Sequence, residues 1–160
     1  VNLSTHQWFA GILGIAGAWD FCWWVRRRFV RTNTYKQAYL MAGKLNRPLV
    51  VVGAPDGGVT AGYGCGDIVV DIKETALCPI SIKADITKKL PMKDDSAVVF
   101  VSCVLEYVDD LDAAMCELLR VAGSRDKLFI VRVEPWTATA YLYPGAKRVI
   151  TSDYLPGKCK

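Results

Sequence analysis

Apolar positions along this chain fall into blocks with different periods, and each block predicts its own element. The longest, Trp8 to Val25, is eighteen residues with Asp20 as its one charge, closed by Arg26, Arg27, Arg28 and Arg31. A helix of that length covers about 27 Å, close to the hydrocarbon thickness of a bilayer. Thr32 to Asn46 predicts a further helix, capped by Thr32 or Asn33, with Tyr35, Ala38, Tyr39 and Ala42 on one face. Short strand-like runs follow at Leu49–Gly53, Asp67–Ile72, Ser81–Ala84, Ala97–Cys103 and Leu128–Val133, the last interrupted by Arg132. Runs of this length suit strands buried on both faces. Between the last two, Leu111, Ala114, Met115, Leu118, Leu119 and Ala122 recur at helical spacing. Asp109 and Asp110 supply the start of that helix and Gly123 its stop. Strand, helix, strand is a parallel crossover, so an α/β domain is expected. Tyr141–Tyr143, Pro144-Gly145 and Arg148–Thr151 read as a terminal hairpin.

The expected organisation is an anchor with a basic flank over 1–31, a linker helix over 32–47, the α/β domain over 48–155 and a tail over 156–160. Trp8 and Trp23-Trp24 stand where interfacial aromatics belong, and the arginines after the apolar run place the domain on the cytoplasmic or equivalent side of a single-pass membrane span. Asp20 argues for the alternative, a buried or interfacial helix, because a carboxylate at the bilayer midplane costs about 3 kcal/mol. Ala10, Gly14 and Ala18 form a row of small residues suited to a partner helix. A hydrophobic share of 52% suits an element beyond a globular core, and a net charge of +4 is too mild to indicate nucleic acid. No nucleic-acid partner is expected, since the domain lacks a basic stripe with interleaved aromatics; the arginines suit phospholipid headgroups. The six cysteines (22, 65, 78, 103, 116, 159) and single histidine show no zinc spacing, and free thiols in a reducing compartment are expected.

One stretch resembles a known family. Asp85, Leu90-Pro91, Asp94-Asp95-Ser96, an apolar strand, Val104-Leu105-Glu106-Tyr107 and Glu117-Leu118-Leu119-Arg120-Val121 look like the second half of class I S-adenosylmethionine-dependent methyltransferases. The resemblance implies a reduced Rossmann-like, mostly parallel sheet with S-adenosylmethionine as the cofactor. It maps the first and third glycines of the cofactor turn onto Gly53 and Gly57, with Pro55 in place of the middle one and Val51 where an acid is usual. It maps the acid for the ribose hydroxyls onto Asp71 and the acid for the adenine amino group onto Asp85. Ser102, Glu106 and Tyr107 fall at the carboxyl edge of the fourth strand, where α/β ligands bind; Ser102 is a cofactor candidate and Glu106 the candidate base. Acids at strand ends also cap loops or face water, which is the structural alternative for Asp71 and Asp85.

The glycine-rich 59–66 run is too short for the helix the family places there, and only thirteen residues separate Asp71 from Asp85. Two cover helices are therefore missing, and one sheet face is expected to be partly bare and to meet another protein, a second copy or the membrane. The altered turn and lost helices favour a domain with eroded catalysis, serving as a structural or assembly subunit of a membrane complex or membrane-containing particle. The alternative is an active methyltransferase acting near the membrane.

Overall fold

A computed structural model describes residues 5–55, 62–142, 144–150 and 159, with the side chains of 5–13 left out. Five parallel strands form one sheet in the order β3-β2-β1-β4-β5, with β1 at Leu49–Val52, β2 at Ile68–Asp71, β3 at Ser81–Lys83, β4 at Val98–Ser102 and β5 at Leu128–Val131. This is a Rossmann-like α/β sheet, and the chain reverses its direction of growth between β1 and β4.

Why the central strands are apolar on successive positions is visible in the packing. Leu49, Val51, Val69, Val98 and Phe100 point to one face, where Ala38 and Ala42 of helix α1 (Thr5–Leu45) meet them. Val50, Val52, Val70, Val99 and Val101 point to the other, against Ala114, Met115, Leu118 and Val121 of helix α2 (Leu111–Ala122). Period-two alternation thus feeds two cores. The helix ahead of β1 covers β1, β4 and β5, and every residue of β1 and β4 is buried, so the expected bare face is corrected for the centre of the sheet; β2 and β3 keep half-buried and exposed positions.

The N-terminal region departs further from expectation. The anchor and linker are one unbroken helix of 41 residues, so the boundary near 31 falls inside an element, and Thr32 is no cap. Its hydroxyl donates to the carbonyls of Arg28 and Gly62 at 3.0 and 2.9 Å. A membrane span over Trp8–Val25 is not supported: among the described residues no helix is long and apolar enough to cross a membrane. Part of that run is docked on the domain instead. Asp20 accepts from the backbone N–H of Ala138 and Thr139 at 3.0 and 3.2 Å. Trp23 meets Trp136 edge to face at 5.2 Å. Buried Arg27 donates to buried Glu134 at 2.7 Å. The carboxylate that argued against a bilayer is a tertiary acceptor. In the small-residue row, Gly14 and Ala18 are exposed, with no described residue within 4 Å of a Cβ built on Gly14; the side chain of Ala10 lies outside the described residues.

Helix α2 starts and stops as its sequence predicts. The Asp110 carboxylate accepts from Ala113 N–H at 2.9 Å, and Gly123 closes the helix at φ 75° with its N–H on the Leu119 carbonyl. Asp109 pairs instead with Lys147. The residues that carried the family resemblance mainly hold the scaffold: Glu117 accepts from Leu90 N–H at 2.6 Å and from Arg120, which also donates to the Met92 carbonyl at 2.9 Å and pairs with Asp94.

Two further expectations are corrected. The terminal hairpin is replaced by a short helix, α3 (Thr139–Leu142), and an irregular segment; residues 143 and 151–158 lie outside the described set. The thiols are not all free: Cys65 pairs with Cys78 and Cys116 with Cys159, leaving Cys22 and Cys103. The fold brings these cysteines to Cα separations of 5.6 and 5.3 Å, inside bonding range, across sequence separations of 13 and 43. Sequence spacing does not reveal such pairs.

Candidate functional site

A cavity of about 250 Å³ opens at the carboxyl ends of β1, β2 and β4, beside the reversal in strand order. Its apolar lining comes from Val52, Val70, Ile86, Val104 and Val108, and its polar lining from Asp71, Asp85, Thr87, Tyr107, Asp109 and Lys147. Each strand ends by turning its last residues toward the same edge. Residues 53, 71 and 85 therefore meet there although they lie far apart in the chain.

Gly53 leaves β1 at φ 90°, and a Cβ there would stand 2.5 Å from a methyl of Val104. Left-handed backbone and close packing both require glycine. Asp71 ends β2 with one carboxylate oxygen accepting from Ala54 N–H at 2.7 Å and the other from Lys73 N–H at 2.9 Å. It ties the turn after β1 to the strand beside it, and each oxygen keeps a second acceptor direction. Asp85 folds into a local turn, one oxygen accepting from the hydroxyl and N–H of Thr87 at 2.7 and 2.9 Å. The Thr87 hydroxyl, then its N–H, hold the Asp85 carboxyl below its usual range. Gly57 lies outside the described residues.

The other two candidates are placed elsewhere. Ser102 is buried at the end of β4, off the cavity lining, with no hydrogen-bond partner for its hydroxyl among the described residues. Glu106 is buried off the cavity lining, where its carboxylate accepts from Val133 N–H at 2.8 Å and keeps one oxygen without a partner among the described residues. Burial pushes its pKa up. A carboxylate held this way braces the chain after β5; it does not reach into the cavity. Among the described residues no cluster of His, Cys, Asp and Glu is arranged to hold a metal ion.

Three features of this edge were not read from sequence. Lys147 enters the cavity from the segment after α3 and pairs with Asp109. Cys103 adopts φ 52° where β4 ends, and Arg31 donates to its sulfur at 3.4 Å; burial raises the thiol's pKa. Val104 closes over Gly53. Only the last had a sequence signal, an apolar residue just past an apolar strand.

The residues present fit the nucleoside half of S-adenosylmethionine: an apolar floor with two carboxylates at the ends of adjacent strands. The volume lies just below the range of about 300–1,000 Å³ usual for small-molecule sites. The turn that would meet the methionine half includes 56–58, outside the described residues.

No protein-family model and no curated protein matches this sequence. Among solved structures it is similar to a chain of the complex between the Haloferax volcanii Trm112 methyltransferase activator and the "putative methyltransferase", at 20% identity and a TM-score of 0.34. The match covers 46% of this chain and 40% of that one, so it spans less than half of either.

Proposed function

We propose that this chain is a methyltransferase-like domain whose cleft binds a nucleoside of the S-adenosylmethionine class. The observation that carries the reading is the meeting of Gly53, Asp71 and Asp85 in one apolar-floored cleft at the carboxyl edge of a parallel sheet. Asp71 and Asp85 offer acceptors to sugar hydroxyls and an exocyclic amine, while Val52, Ile86 and Val104 give a base an apolar surface. When bound, S-adenosylmethionine supplies an electrophilic methyl group. This chain's own contribution is to bind and orient it. Calorimetry of the full chain with S-adenosylmethionine tests the reading: Asp71→Asn weakens binding by about tenfold if one charge-assisted hydrogen bond is lost. Absence of heat at millimolar ligand refutes it.

A second reading, a structural subunit without methyl transfer, is favoured by the placement of Glu106 and Ser102 away from the cleft. It is also favoured by the outer side of α1, which leaves Ile15, Phe21 and Phe29 exposed by 74%, 63% and 65%. Apolar groups on that scale suit contact with another protein subunit. Release of S-adenosylhomocysteine above the solvent background, on supplying S-adenosylmethionine with small thiol, amine and carboxylate acceptors, would exclude this second reading.

A further inference from the structure

Helix α1 has two opposed sides. Asp20, Arg27 and Ala38 face the domain. Half a turn away lie Gly14, Ala18, Cys22, Val25 and Phe29, with Ile15 and Phe21 at the edges of the same stripe. None of these residues is charged, and the stripe ends where Asn33 and Lys36 reach that side. All but half-buried Val25 are exposed. Gly14, Ala18 and Cys22 make a low floor. Trp19 stands along one wall, its indole N–H donating to the Trp136 carbonyl at 3.3 Å; Phe21 stands along the other, stacked with Trp24 at 5.9 Å. Walls already ordered in this way lower the entropy cost of covering the channel.

The volumes along the stripe complement their own reverse. Consider a second α1 laid across it antiparallel, with the two-fold axis level with the step from Phe21 to Cys22. Gly14 then meets Phe29, Ala18 meets Val25 and Phe21 meets Cys22 of the other copy. Every pair sets a larger side chain against a smaller one. A parallel alignment instead sets Phe29 on Phe29 and Gly14 on Gly14, and brings the arginines of both copies side by side. In the antiparallel one the two Arg26 positions lie about 14 Å apart along the axis, beyond the screening length of about 8 Å at physiological salt. Each domain sits on the far side of its own helix, clear of the partner. At about 200 Å² for a whole aromatic side chain, the exposed parts of Trp19, Phe21 and Phe29, with Ile15 and the small residues, offer roughly 600 Å² per copy. Two copies together reach the lower end of specific, stable interfaces.

Resting on the reading of the outer side of α1 as a subunit contact, we propose that its partner is a second copy of this chain, joined through this stripe as an antiparallel two-fold dimer. Sedimentation equilibrium of the full chain without detergent tests it. The expected result is a monomer–dimer equilibrium with a dissociation constant on the order of micromolar, as suits an interface of this size. Ala18→Glu, at an exposed position, weakens the dimer by about a hundredfold and leaves the circular-dichroism spectrum unchanged. Orientation is read with a short bis-maleimide on a Cys22→Ala background. Gly14→Cys with Phe29→Cys gives covalent dimers, whereas Gly14→Cys alone gives none, because its two copies lie about 22 Å apart along the axis. A chain that stays monomeric at about 100 μM, or a dimer that Ala18→Glu leaves intact, overturns the second copy on this face and leaves α1 to a different subunit. Covalent dimers from Gly14→Cys alone overturn the antiparallel arrangement. Flotation of the chain with phosphatidylcholine–phosphatidylglycerol vesicles, in place of a dimer, overturns the subunit contact as well. The nucleoside reading of the cleft stands apart from each of these outcomes.

Discussion

Gly53 and Glu106 show how single positions at this edge are constrained. Gly53→Ala places a Cβ in left-handed backbone and against Val104. It is expected to cost about 2 kcal/mol, read as a lower urea midpoint, and to displace the turn that Asp71 holds. Glu106 binds its proton more tightly in the folded chain than in the unfolded one, because burial disfavours its charge. Between its ordinary value of 4.5 and the raised folded value, the folded state holds the extra proton. Stability therefore falls as pH rises through that window, and the full penalty remains above it. Glu106→Gln keeps an acceptor for Val133 N–H and removes the charge. Urea midpoints across pH 4 to 8 should coincide with those of the unmodified chain at the acid end and exceed them at neutral pH. At this scale Asp71 and Asp85 were singled out by the family resemblance, which maps one acid to the end of β2 and one to the segment after β3. Lys147 was not: it reaches the cleft from a segment far along the chain, and nothing local marks it.

Helix α1 is an element with two jobs, and one ion pair links them. Its C-terminal part covers the sheet through Ala38 and Ala42, while Asp20, Trp23 and Arg27 fasten the preceding turns to residues 134–139. Arg27→Ala leaves Glu134 buried without its closest partner and is expected to cost about 3 kcal/mol. Hydrogen exchange over 19–31 should rise with it, more than over 38–45. Replacing both partners, Arg27→Met with Glu134→Leu, is expected to restore most of the stability, since the desolvation of two charges is also removed. Exchange protection that stays unchanged in Arg27→Ala would mean that the aromatic contacts and Asp20 hold the helix without the ion pair. The same helix shows why its apolar run suggested a membrane. A long apolar run ending in arginines has the composition of a bilayer span, and the same composition serves a helix that buries one side on a protein.

For the molecule as a whole, the crossovers around β2 are short, and a disulfide joins them. Cys65 lies on the way into β2 and Cys78 on the way out. Closing a loop of this length is worth about 3 kcal/mol in the chain-entropy account. Cys65→Ser with Cys78→Ser, or reduction of the unmodified chain, should lower the urea midpoint accordingly. Alkylation of the unfolded chain in denaturant before reduction should label Cys22 and Cys103 and spare the other four. Labelling of Cys65 or Cys78 at that stage would contradict the pairing.

The sequence alone determined the parallel α/β class, the five strands, and the caps and apolar face of α2, because these depend on local period and on residues adjacent in the chain. Tertiary structure decided which face each helix covers, that α1 packs over β1, β4 and β5, which cysteines bond, and that Asp20 and Arg27 serve the domain. It also turned Glu106 away from the cleft and brought Lys147 into it. Each of those outcomes depends on residues distant in sequence competing for the same partner, and a periodic pattern carries no record of which one is near.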